Sequence, residues 1–274
     1  MRSLLLAATA ATLSLAGAAQ AQDWTGFYVG VAAGYADRSE SSRETILFDT
    51  NLDGSYGDTV NTAAGANAFS PGFCGGGYST NAAPGGCRKD DTDDIELSIR
   101  AGYDWQFAEN WVVGAVIEYS ELQLQDQVTA FSTTPAGYAF TRKLTDTLAI
   151  RARGGYAAGD NLFYLTGGYA QGDVSHSFNT TNGVNAFPER GGGKAKGYQF
   201  GAGYERKITP NVTLGVEFLR TNLDDDDYRV RATNSGTTAP TNPFLLVNTQ
   251  GVDFRRSNND FKYNSFRVTA AWRF

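Results

Sequence analysis

The chain has 274 residues, 41% hydrophobic and 19% charged, and its net charge of −6 argues against nucleic-acid binding, which needs a basic face. Beyond the N-terminal leader no stretch stays apolar for about 20 residues, so no transmembrane helix is expected. The mean hydropathy of −0.34 does not exclude a membrane barrel, because barrel strands alternate and average out.

Arg2, the apolar run Leu4 to Ala19 and the small-x-small site Ala19-Gln20-Ala21 predict a cleaved signal peptide over 1–21. The mature domain is then 22–274. Losing Arg2 leaves 22 basic against 29 acidic residues, a net charge of −7.

Period-two alternation predicts eight strands. The first, about Gly26 to Ala36, sets Phe27, Val29, Val31 and Tyr35 against Tyr28, Gly30 and Gly34. The second, Asp94 to Gln106, sets Ile95, Leu97, Ile99 and Tyr103 against Glu96, Ser98, Arg100 and Asp104. The third starts at Trp111, with Val113, Ile117 and Tyr119 against Val112, Val116 and Glu118. In the fourth, Leu148, Ile150 and Tyr156 oppose Ala149, Arg151 and Arg153. The fifth starts at Leu162 and has no clear parity, since Phe163, Tyr164, Leu165 and Tyr169 fall on both faces. The sixth sets Tyr198, Phe200 and Tyr204 against Gln199 and Glu205; the seventh sets Leu214, Val216 and Phe218 against Thr213 and Glu217. The last sets Phe266, Val268, Trp272 and Phe274 against Ser265, Arg267 and Arg273.

Three connections are short (107–110, 158–161 and 207–211) and four are long (38–93, 121–143, 179–195 and 224–260). The short ones end in Asn110, Asn161 and Asn211, spaced 51 and 50 residues apart, so hairpins of similar length repeat. The fold class is therefore all-β: an eight-stranded antiparallel up-and-down transmembrane β-barrel with long extracellular loops and short periplasmic turns. Both termini then lie in the periplasm, in the cell outer membrane. The runner-up is a soluble barrel of lipocalin type, with its apolar faces inside.

A bilayer cannot solvate charge, so the charged face is the interior. It holds Glu96, Asp104, Glu118, Glu205 and Glu217 with Arg100, Arg151, Arg153, Arg267 and Arg273, five acids and five arginines. Arg100, Glu118, Arg151, Glu217 and Arg267 fall in a middle layer, and Asp104, Arg153, Glu205 and Arg273 nearer the periplasm. Eight strands make a barrel that side chains can fill. The interior reads as a plug of ion pairs, with a gated narrow channel or small-solute porin as the alternative. Trp24, Trp105, Trp111 and Trp272 all fall at the periplasmic boundary, as an aromatic girdle requires.

Cys74 and Cys87 read as a disulfide in an exported protein. Asp49, Asn51 and Asp53 match the first half of a calcium loop, but loop position twelve is Val60 rather than Glu. The acidic runs Asp90, Asp91, Asp93, Asp94 and Asp224 to Asp227 sit at loop bases, where divalent ions could bridge them to lipopolysaccharide; the plainer reading is solvated surface. His176 is the only histidine. Ser175 and Ser177 flank it but point to the opposite face, so an outer-membrane lipid hydrolase is disfavoured and a solvated strand-end histidine is expected.

Trp24-Thr25-Gly26-Phe27-Tyr28-Val29-Gly30, the hairpin Arg151-Ala152-Arg153-Gly154-Gly155-Tyr156 with Tyr164-Leu165-Thr166-Gly167-Gly168, and Gly201-Ala202-Gly203-Tyr204-Glu205 resemble the alphaproteobacterial outer-membrane surface-antigen family, also called porin-family or opacity-like barrels. The resemblance covers the strands and none of the large loops. It implies an eight-stranded barrel that serves envelope integrity and displays surface loops; from the residues around His176, no enzymatic activity is expected. It also implies that Phe274 is the signal read by the outer-membrane insertion machinery. Expected partners are outer-membrane lipids, lipopolysaccharide, that machinery, and a host or environmental ligand at the loops.

Overall fold

The computed structural model describes residues 23–38, 44–89, 91–225 and 228–274. The expected signal peptide, together with Asp90, Asp226 and Asp227, lies outside the described residues. The barrel strands are β1 (Gly26–Arg38), β2 (Asp94–Phe107), β3 (Trp111–Ser132), β4 (Ala136–Ala158), β5 (Asn161–Thr180), β6 (Gly193–Lys207), β7 (Val212–Asp224) and β8 (Asp260–Arg273). Each pairs antiparallel with its sequence neighbours, and β8 closes on β1 with Val29 opposite Trp272. Closure leaves no open sheet edge, which is what a strand protein needs in lipid.

The parity is that of a membrane barrel. Val31, Ile99, Ile150, Leu165, Val216 and Val268 are exposed on the outer wall, while Arg100, Arg151, Glu217 and Arg267 are buried inside. The lipocalin arrangement requires the reverse. In β5 the ambiguity resolves: Phe163, Leu165 and Tyr169 face out, and Tyr164, Thr166 and Ala170 face in.

The 121–143 segment is not a loop. β3 and β4 run through it and leave only 133–135 as the connection. The alternation continues there with its sign reversed. Leu122, Leu124 and Val128 are buried, and Glu121 and Gln123 are exposed. A strand that leaves the bilayer meets water outside and must keep its apolar side chains in, so the reversal after Ser120 marks the edge of the lipid belt. In β4 a register shift between Leu144 and Asp146 changes the parity. Below it Thr147 and Ala149 face in; above it Leu144, Arg142 and Phe140 do.

The other long connections fold as well. Ile46–Asp49, Arg229–Asn234 and Val252–Arg256 form a small antiparallel sheet with Phe48 opposite Phe254, and the 181–192 connection adds Asn185–Ala186 and Glu189–Arg190 to Arg229–Asn234. Gly72–Gly75 pairs with the upper part of β3. These segments close over an aromatic core that includes Phe48, Phe69, Tyr138, Phe140, Phe244 and Phe254. Cys74 and Cys87 are bonded, with Cα atoms 6.0 Å apart.

Read along β3, the inward side chains change character in layers. Val112 belongs to an apolar cluster with Trp24, Ala157 and Leu162. Glu118 follows in a charged layer. Leu122 and Leu124 then belong to a second apolar cluster with Leu144, Leu223, Phe261 and Tyr263. Asp126 opens a second charged layer, and Val128 and Ala130 enter the aromatic core.

Candidate functional site

The lower charged layer is one connected network. Glu217 on β7 lies directly opposite Arg267 on β8. Arg267 donates to Glu217 at 2.9 and 2.5 Å, to Glu118 at 2.6 and 2.7 Å, and to Glu96 at 3.1 Å. Arg151 bonds both oxygens of Glu118 at 3.1 and 3.2 Å and also meets Gln199. Arg100 reaches Glu205 at 3.1 Å and Glu217 at 3.4 Å. Arg153 forks onto Asp104 at 2.7 Å twice and onto Glu205 at 2.8 Å; Arg273 joins Asp104 at 2.5 Å. The ten charged residues expected inside are thus brought together; Arg100 of the middle layer reaches Glu205 of the one below, and Glu96 joins through Arg267. Planar guanidinium forks match paired carboxylate oxygens, so few lone pairs stay unmet in a place water barely reaches.

Two tyrosines complete the network. Tyr164 donates to Glu217 at 2.8 Å, and Arg153 lies over the rings of Tyr28 and Tyr164, 5.0 and 4.6 Å from their centroids. Gly203 makes room: a Cβ there would fall 2.3 Å from Tyr164 Cζ. Tyr164 does not stand out in the sequence, because its neighbours are equally apolar. The available signal was the two-residue turn at 159–160, which pairs Leu162 with inward Ala157 and so fixes the face of β5.

The upper charged layer was not anticipated. Asp126 accepts from Arg38 at 2.6 Å, Arg142 at 2.8 Å and Arg256 at 2.6 Å, and Arg256 also forks onto Glu44 at 2.7 and 2.6 Å. Asp126 lies above the lipid belt. Burial raises the pKa of its carboxyl, but Arg256, Arg142 and Arg38 more than offset that and hold it below the usual carboxylate range. Arg256 comes from a segment with no strand pattern long enough to read, and the parity change in β4 hides Arg142.

The chain matches the outer membrane protein beta-barrel domain family over residues 4–274. It belongs to that family. It is 30% identical over 201 residues to the 31 kDa outer-membrane immunogenic proteins of Brucella melitensis and Brucella suis, covering 73% of this chain and 71% of each relative. Among solved structures it is similar to the outer membrane protein OprG of Pseudomonas aeruginosa, at 10% identity and a TM-score of 0.47, covering 93% of this chain and 99% of that one.

In this outer-membrane barrel Trp105, Trp111 and Trp272 face outward at the turn end, each more than half exposed. Trp24 does not join them. Its exposure is 0%, its indole nitrogen donates to the Gly159 carbonyl at 3.3 Å, and Arg273 and Lys207 lie over its ring. Trp24 shares the parity of inward Tyr28, so it folds under the barrel and closes that end rather than joining a girdle.

His176 is not solvated. Its Nε2 lies 3.0 Å from Asp225, its ring stacks on Tyr228 at 4.6 Å, and Ser175 bonds the Lys143 carbonyl instead. The calcium half-motif is a backbone turn: the two oxygens of Asp49 accept from the Asp53 and Gly54 N–H groups at 3.2 and 2.8 Å, and Asn51 donates to Asp53 at 3.0 Å. Donors therefore face the carboxylate where a cation would need oxygen, and no group of three His, Cys, Asp or Glu side chains that could hold a metal ion forms among the described residues. Of the acidic runs, Asp91 pairs with Arg38 at 2.7 Å and Asp93 accepts from Tyr35 at 3.2 Å, so both serve the fold.

Proposed function

We propose that this protein is a closed outer-membrane barrel that serves envelope integrity and presents a folded loop end for surface recognition. The observation that carries the reading is the layering. A solute must pass the Trp24 cluster, the ion pairs, and the Leu122, Leu124, Leu144 and Phe261 layer before it meets the second charged layer and the aromatic core. Arg267 and Glu217 are 3% and 4% exposed, so a water-sized sphere scarcely reaches the network. Opening a path would strip several buried carboxylates of their partners, at several kcal/mol each. The charged network thus reads as structural, and so does His176, held by Asp225 at 3.0 Å.

In this reading the short turns and both termini are periplasmic, the loop end faces out, Phe274 serves insertion, and lipopolysaccharide surrounds the strands just above the lipid belt. That the Brucella relatives are named outer-membrane immunogenic proteins supports exposure of the loop end. The test is conductance of the refolded mature chain in planar bilayers across a range of voltage. A silent membrane that holds folded barrels is expected. Steady discrete openings would overturn the closed-barrel reading in favour of a small-solute porin.

A further inference from the structure

At the far tip of the loop end lies a cavity of about 190 Å³ that the layered interior does not use. Three segments distant in sequence wall it, 132–136 at the tip of the β3–β4 hairpin, 181–184 and 242–244, and a fourth, 68–69, joins them at the base. Phe69, Tyr138 and Phe244 form its floor, their ring centroids 5.3, 6.1 and 6.0 Å apart. Each ring is nearly buried and belongs to the aromatic core, so the floor is fixed by packing.

The rim is fixed too. Asn182 and Asn242 both donate to Asn185, at 3.1 Å each, and Asn185 returns a bond to Asn242 at 3.3 Å. That amide knot ties the second wall to the third. Asn182 also donates to the Tyr138 hydroxyl at 3.0 Å, which ties wall to floor. Around the mouth stand the exposed Thr133, Thr134 and Thr181. Thr181 Oγ1 accepts from the Gly137 amide at 3.0 Å, so its proton remains free to donate outward. No Asp, Glu, Lys or Arg lines the cavity, in a chain that is 19% charged.

We infer that this cavity binds a single neutral sugar ring. An uncharged lining gives an ionic ligand nothing to offset its desolvation. The aromatic floor suits the apolar C–H face of a ring, and the threonine hydroxyls at the rim suit its hydroxyl groups. The volume is below the roughly 300–1,000 Å³ of pockets for drug-sized ligands, which leaves room for one ring and not for a chain. Because the walls are locked before binding, little ordering cost falls on association. The inference deepens the surface-recognition reading and rests on it for its biological sense, since the sugar must lie on the outer side of the membrane.

The experiment is saturation-transfer NMR on the detergent-refolded chain with methyl glucoside, methyl galactoside and methyl N-acetylglucosaminide. Binding of at least one, with Kd on the order of 1 mM because one ring has few atoms to bind with, is expected. Toluene serves as the apolar competitor. Val184 lines the mouth and is 55% exposed, so Val184→Trp blocks the cavity without touching the core. It should weaken binding at least about tenfold while the heat-dependent gel shift of the folded barrel stays unchanged. Absence of transfer to any of the sugars, transfer to toluene alone, or transfer unaffected by Val184→Trp would each overturn the site. Two further arms separate the sources of the ring: neutral polysaccharide released from the cell's own lipopolysaccharide, and glycopeptides with neutral terminal sugars. Sugar binding in detergent combined with a loop end that antibodies cannot reach on intact cells would keep the site and overturn the surface reading instead.

Discussion

Glu217 sits directly across from Arg267 on the neighbouring strand and takes two of its hydrogen bonds, at 2.9 and 2.5 Å. That pair is the hub of the lower network, because Arg267 also holds Glu118 and Glu96. Arg267→Met leaves Glu96 without its cation and leaves Glu118 to Arg151 and Glu217 to Arg100 and Tyr164, so a buried layer then carries excess negative charge, and should cost roughly 3–5 kcal/mol. Replacing Glu217 by Gln in the same chain removes one of the excess charges and should recover part of that loss. Urea-dependent folding into lipid vesicles measures both. A single-variant loss under about 1 kcal/mol would mean that water enters the layer and solvates the charges.

Gly203 and Tyr164 form a knob and socket. Gly203→Ala would place a Cβ 2.3 Å from the phenol carbon, and the overpacking should cost about 1–3 kcal/mol. Tyr164→Ala in the same chain should relieve the clash, so the two losses should fall short of additive. Strict additivity in the same folding measurement would show that the two residues do not meet.

Acid should loosen the loop end before the barrel. The Asp126 carboxyl is held below its ordinary range in the folded state, so its contribution is full above the unfolded value of about 3.9 and fades as pH falls through the folded value. Protease sensitivity of 44–89 and 228–256 should rise below about pH 4 while the lipid-embedded strands stay intact. In Asp126→Asn the loosening should already be present at neutral pH and should vary little across that window. A wild-type loop end unchanged down to about pH 2 would sink the assignment.

The Cys74–Cys87 bond closes a segment of sequence separation 13 within the loop end. In the chain-entropy model such a loop contributes about 3 kcal/mol, all of it outside the bilayer. Reduction should therefore speed tryptic cleavage after the exposed Arg88 and Lys89 and leave the gel shift of the folded barrel in place. Cleavage at equal rates with and without reductant would show that the strand Gly72–Gly75 alone holds the segment.

The barrel wall was legible in the amino acids alone. Within the lipid belt each strand has a greasy face and a filled face, and a one-residue error would put Arg151 or Arg267 in hydrocarbon, so parity is written directly into the residues. The ten interior charges were legible for the same reason. β5 escaped because Tyr164 is as apolar as Phe163 and Leu165, and only the cross-strand register separates them. Above the lipid the rule reverses, water outside and core inside, so Glu121 to Val128 alternated in plain view yet read as loop. Arg142 depended on a parity change between Leu144 and Asp146 that no local pattern announces. Trp24, His176 and the turn around Asp49 took their roles from partners far along the chain: Gly159 and Arg273, Asp225, and the sheet that sets Phe48 against Phe254. Those contacts join residues far apart in the chain and exist only once it has folded.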